Sequence, residues 1–133
     1  MPYLEIISPA LSSQQKEVAA RTLTQAVVDS LSVTPESVTL YFMPVAHGDY
    51  VHAGISGMPE DRPRVFIKLH AYRRDVATRS ECAMAVTQAF AEAYLPGEAE
   101  IAVYFMQREL EEVSHYGILS SNSGNESGAS SAA

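Results

Sequence analysis

Cysteine is almost absent. Cys82 stands alone, so the chain makes no internal disulfide, and nothing in its cysteine usage points to secretion. Positive charge is scarce too. Nine Lys and Arg stand against sixteen Asp and Glu, a net charge of −7, and the densest basic spot is the pair Arg73-Arg74. That balance argues against a nucleic-acid groove or an anionic membrane surface as partner. No apolar run approaches the roughly 20 residues of a membrane span. Met1-Pro2 opens straight into a strand pattern, with no charged and apolar leader. No signal peptide is expected, and the expected compartment is the cytoplasm. There is no Gly-rich phosphate loop and no Ser-His-Asp arrangement, and His47 and His70 lack partners at metal-ligand spacing. Neither a cofactor nor a metal is expected.

The 133 residues, 47% hydrophobic and 19% charged, suit a single soluble domain with a real core. Alternation predicts strands over Tyr3 to Ile7, Val38 to Met43, Val65 to His70 and Ile101 to Met106. Pro44 is expected to end the second. A helix is expected from Ser12, an N-cap with Gln15 as its capping-box partner, to about Leu31. A second runs from Asp75 to about Tyr94 and stops at Pro96-Gly97. A short hairpin is expected around Tyr50-Val51-His52, one helical turn within 108–113, and a closing strand over His115-Tyr116-Gly117-Ile118. The domain is expected to span 1–119. From Ser120 the composition becomes Ser, Asn, Gly and Ala, which predicts a disordered tail over 120–133.

The chain repeats itself at a shift of 63 residues. Tyr41-Phe42-Met43 recurs as Tyr104-Phe105-Met106, and Thr24-Gln25-Ala26 as Thr87-Gln88-Ala89. His52, Gly54 and Ile55 return as His115, Gly117 and Ile118, and Ser12 falls on Asp75, both N-capping types. The buried helix stripe Ala19, Leu23, Ala26, Val27, Ser30 returns as Cys82, Val86, Ala89, Phe90, Ala93. This is a tandem duplication of one β-α-β unit, about 2–55 and 65–118. It implies an α+β fold: a four-stranded mixed sheet with two helices on one face.

One sheet face, carrying Leu4, Ile6, Leu40, Phe42, Ile67, Leu69, Val103 and Phe105, is uniformly apolar and belongs under the helices. The opposite face carries Tyr3, Tyr41, Met43, Phe66, Tyr104 and Met106. It is too aromatic to face water, so other subunits are expected to cover it. Glu5 and Lys68, repeat equivalents on that face, are expected to pair.

Pro2 has two readings. It can simply start an edge strand. If Met1 is removed, it instead presents a secondary amine, held by its strand and able to take a proton from a substrate.

Together, Pro2 after Met1, the duplicated β-α-β units and the Gly48-Asp49-Tyr50 turn after the second strand resemble the tautomerase superfamily. Gln15-Lys16 and Ser37-Val38 are similar to 4-oxalocrotonate tautomerase. Val103-Tyr104-Phe105 and Tyr116-Gly117 resemble the trimeric branch that includes cis-3-chloroacrylic acid dehalogenase and macrophage migration inhibitory factor. The resemblance spans about residues 2 to 118. It implies a homotrimer and a cofactor-independent tautomerase or isomerase acting on a small unsaturated 2-oxo or 2-hydroxy carboxylic acid, with Pro2 as general base. It further implies that Arg74, with Arg73 beside it, binds the substrate carboxylate, and that Tyr104 borders the site. His115 stands where the dehalogenase carries a glutamate, Val27 where it carries a histidine and Ala71 where it carries a second arginine. Leu11, Ser12 and Thr39 replace arginines of the simple tautomerase. These departures leave open a decarboxylase, hydratase or dehalogenase using the same proline, or a trimeric binding protein without chemistry. Each residue also has a plainer reading: Arg74 as a solvated arginine, Tyr104 as packing, and His115 as a structural residue repeating His52.

Overall fold

The computed structural model describes residues 1–122. Strand β1 (Tyr3–Pro9) leads into helix α1 (Ser13–Leu31), and strand β2 (Thr39–Val45) follows. A hairpin of β3 (Val51–His52) and β4 (Ile55–Ser56) closes the first unit. The second unit is β5 (Arg64–Tyr72), α2 (Val76–Tyr94), β6 (Glu100–Arg108) and the hairpin of β7 (Ser114–His115) and β8 (Ile118–Leu119).

The duplication holds at the level of single residues. The two helices, the two hairpins and the 3-10 turns His47–Asp49 and Leu110–Glu112 all recur at the 63-residue spacing. So do the backbone turns: Ala53-Gly54 has φ of 54° and 77°, and Tyr116-Gly117 has 54° and 81°. Two successive left-handed residues make a tight hairpin turn, which glycine tolerates at its second position. The segment expected as one closing strand is therefore a hairpin, with Tyr116-Gly117 at its tip.

The sheet order is β2-β1-β5-β6. β1 and β2 run parallel, as do β5 and β6, because each pair is joined by a helical crossover. β1 and β5 meet antiparallel at the centre, with Leu4 opposite Leu69 and Ile6 opposite Ile67. β1 is thus an interior strand from its first residue. Pro44 lies inside β2 rather than ending it, in register with Ser8. β2 is an edge strand, so a residue with no amide hydrogen costs it no obligatory ladder bond.

Both helices lie on one face. Each starts on a side-chain cap: Ser12 accepts from the Gln15 amide at 3.1 Å, and Asp75 accepts from the Thr78 amide at 2.9 Å. They pack antiparallel, the Gln15 amide nitrogen donating to the Tyr94 carbonyl at 3.1 Å. The core between helices and sheet holds Leu4, Ile6, Leu23, Val27, Ile67, Val86 and Phe90, all fully buried. Cys82 is buried with them, as a residue of the helix stripe. The other sheet face stays open in the single chain: Tyr41 is 56% exposed, Tyr104 54% and Met43 44%. Glu5 pairs there with His70 and not, as expected, with the Lys68 directly opposite it.

Ser120, the first residue after the expected domain end, bonds back to the domain. The Ser120 amide donates to the Val113 carbonyl at 2.8 Å, and its hydroxyl meets the Tyr72 hydroxyl. The rest of the expected tail, 123–133, lies outside the described residues. Among the described residues no helix is long and apolar enough to cross a membrane.

Phe90 is the largest fully buried side chain. Phe90→Ala should cost about 3–5 kcal/mol, read as a lower urea midpoint at unchanged slope. A loss under about 1 kcal/mol would mean that this core is not the one described.

Candidate active site

Pro2 is fully buried, while Met1 before it is 48% exposed. The chain reaches this depth because β1 has a neighbour on each side, and the Pro2 carbonyl already accepts from the Thr39 amide at 3.2 Å. The two residues line an open cleft of about 550 Å³. Tyr3, Thr39 and Tyr41 line it from β1 and β2, and His70, Ala71 and Tyr72 from β5. Arg108, at the end of β6, and His115, in the second hairpin, complete it.

The terminal amine feels this setting strongly. Burial first, and the Arg74 charge second, lower the Met1 ammonium pKa from 8.0 to about 5. Both act in the same sense, because a partly desolvated cation beside a guanidinium is better off neutral. Arg74 is placed by the fold. Its backbone amide donates to Gln107 Oε1 at 2.8 Å, and its Nη1 donates to the Tyr72 carbonyl at 2.8 Å. Its Nη2 reaches the Leu31 carbonyl at 3.4 Å, the negative end of the α1 dipole. Burial pushes its own pKa down, but a guanidinium remains charged at neutral pH.

The sequence-predicted residues are thus partly assembled. Pro2 and His115 share the cleft, and Arg74 acts on the amine of Met1, which also lines it. Arg73 turns outward, its Nε 2.6 Å from Glu109 Oε2, with both side chains about half exposed at 60% and 47%. Tyr104 stands on β6, two strands from β1, on the open face with its ring 5.9 Å from that of Phe66.

Among the lining residues not anticipated as part of the site are a cation and an imidazole, Arg108 and His70. The duplication carried a signal for both. A second cleft, of about 440 Å³, is lined by Ile7, Val45, Tyr50, His52, Arg64 and Phe66 among others. Sixty-three residues on, Ile7 corresponds to His70, Val45 to Arg108 and His52 to His115. The fold builds the same hollow twice, but the first is lined by the buried Pro2, by Arg108 and by the central-strand His70, and the second by Arg64, Val45 and Ile7. Histidine at the hairpin occurs in both copies, which favours a structural part for His115.

No family model matches the sequence, and no curated protein matches it by sequence comparison. Solved structures do match in three dimensions. Pt0534 inactivated by 2-oxo-3-pentynoate superposes with a TM-score of 0.79 at 21% identity, covering 92% of this chain and 98% of its own. A fused 4-OT symmetric trimer gives 0.77 at 18% identity, covering 93% and 99%. N1, a member of the cis-3-chloroacrylic acid dehalogenase family, gives 0.66 at 20% identity, covering 88% and 82%. The chain has the tautomerase-superfamily fold. In this chain the cleft lies where β1 begins, beside the ends of the neighbouring strands.

In the chain that keeps Met1, the terminal amine should titrate near pH 5 by NMR. Arg74→Gln should raise that value only part of the way to 8.0, because burial is the larger cause. Since the folded value is depressed, this amine contributes stability that is fully present above pH 8 and lost as pH falls towards 5. A titration near 8 in the folded chain would contradict the placement.

Proposed function

We propose that the chain is a tautomerase-superfamily enzyme that moves a proton on a small unsaturated 2-oxo or 2-hydroxy carboxylic acid, without a cofactor. Pro2 is the general base once Met1 is removed, since the Pro2 nitrogen is otherwise a non-basic amide. The observation that supports this most is the placement of Pro2, fully buried at the start of β1 and lining the cleft, where burial and the Arg74 charge already depress the neighbouring Met1 amine. An amine with a pKa at or below neutrality is free to accept a proton at physiological pH.

The roles follow from position. The Pro2 nitrogen takes a proton from the carbon next to the carbonyl, and the electron pair left behind delocalises onto the 2-oxo oxygen. Arg108 holds the carboxylate with its planar fork. Arg74 keeps Pro2 neutral in the resting state and offsets the negative charge that develops near it. Arg73, bound to Glu109, is a weaker candidate for the carboxylate. His115 lines the same cleft, and as the repeat partner of His52 it serves first as a structural residue of the hairpin, with substrate contact secondary. The homotrimer joins the open, aromatic sheet faces, and Tyr104 reaches a Pro2 cleft across that subunit boundary. The cytoplasm remains the proposed compartment. Decarboxylation or hydration of a three-carbon acid would use the same Pro2 and Arg108, and malonate semialdehyde is its test substrate.

Intact mass should show the loss of Met1. Pro2→Ala should lower turnover of phenylpyruvate enol or 2-hydroxymuconate by about 10²–10⁴-fold in a chain that still folds, as a cooperative thermal transition would show. Arg108→Gln should act mainly on KM, by about tenfold or more. Equal activity of Pro2→Ala and wild type would remove the enzyme reading and leave a binding protein.

A further inference from the structure

His70 stands in the Pro2 cleft, and the scheme above leaves it unused. Its orientation is fixed from two sides. Nε2 lies 2.7 Å from Glu5 Oε2, and the imidazole stacks on Tyr3 with centroids 4.1 Å apart and planes within 5°. Both side chains of the pair are largely buried, at 16% exposure for His70 and 24% for Glu5. Tyr3 and Glu5 belong to β1, the strand that begins at Pro2, and the antiparallel register sets Tyr3 opposite His70. One strand therefore carries the amine and clamps the imidazole.

The duplicated unit acts as an internal control. The positions equivalent to His70 and Glu5 are Ile7 and Lys68. The fold accordingly needs no histidine–carboxylate pair here. Nor does stability account for one, since burying two ionisable groups costs desolvation that their attraction only roughly repays. What the pair does supply is a fixed tautomer. With Nε2–H donating to Glu5, Nδ1 is the nitrogen left to give or take a proton. A carboxylate-oriented imidazole is an arrangement suited to general acid–base catalysis.

We propose that His70 is a second catalytic group of this cleft, positioned by Glu5 and Tyr3, and that it exchanges a proton with the 2-oxo or 2-hydroxy oxygen of the substrate. The inference rests on the Pro2 reading. In the enolising direction the Pro2 nitrogen takes the proton from C3, and the C–H electron pair becomes the C2–C3 double bond. The carbonyl π pair moves onto oxygen, and protonated Nδ1 of His70 gives that oxygen its proton. Ketonisation runs the same transfers backwards: neutral Nδ1 takes the enol proton, and protonated Pro2 returns one to C3. Neither group has to carry a proton across the substrate. The substrates so favoured have an oxygen at C2.

The test compares wild type with His70→Asn, Glu5→Gln and Pro2→Ala on phenylpyruvate enol. Covalent labelling of Pro2 by 2-oxo-3-pentynoate, a conjugate acceptor, is followed by mass spectrometry in each. His70→Asn should lose about 10²-fold in kcat, with KM within about threefold and Pro2 still labelled. Glu5→Gln should lose less in kcat and shift the His70 tautomer equilibrium, read by ¹⁵N NMR. Wild type should show the Nε2–H tautomer when neutral, a readout that stands even if a variant fails to fold. Full kcat in His70→Asn, or an Nδ1–H tautomer in wild type, would overturn the proposal while labelled Pro2 leaves the first reading standing. An unlabelled wild-type Pro2, with Pro2→Ala fully active, would remove both.

Discussion

A chain that starts inside a sheet has no slack at its first residues. β1 is bonded to β2 on one side and β5 on the other, and its ladder begins one residue after Pro2. Chain termini usually fray because nothing holds them. Here two strand ladders and a buried proline do, and the terminal amine is held partly out of water next to a guanidinium. That confinement changes the chemistry of an ordinary amine. Arg74 is anchored to two backbone carbonyls, of Tyr72 in β5 and of Leu31 at the end of α1.

Duplication supplies the scaffold, and divergence between the copies gives the two clefts different linings. Helix for helix and hairpin for hairpin, the units coincide. Backbone hydrogen bonding and core packing need that sameness, and Leu4, Ile6, Val65, Ile67 and Leu69 are interchangeable apolar residues from this viewpoint. The two hollows made by the repeat need no such sameness, and they have drifted apart. One keeps Ile7 and Val45 where the other has His70 and Arg108.

The fold was legible because its signals are local and repeated. Capping at Ser12 and Asp75, the period of the helix stripes and the alternation of the strands all pointed to the same arrangement. The second stripe, Cys82 to Ala93, matches the buried residues of α2 one for one. Where the reading failed, a non-local fact decided. Pro44 looked like a terminator because nothing local says that β2 is an edge strand. Glu5 looked like a partner for Lys68 because register alone does not show that His70, two residues further along β5, reaches it. In the site, Pro2 and Arg74 were visible as a chain start and a strand end. Arg108 was not, because it enters the cleft from a strand two positions away in the sheet. Comparing the repeat copies for lost symmetry, rather than for kept symmetry, would have found it.

The account depends on the Pro2 nitrogen being uncharged at neutral pH. ¹⁵N NMR titration of that nitrogen in the Met-less protein measures this directly. A pKa depressed below the ordinary α-amino value of about 8 is predicted, since burial and the Arg74 charge both oppose protonation. A pKa at or above that ordinary α-amino value would contradict it.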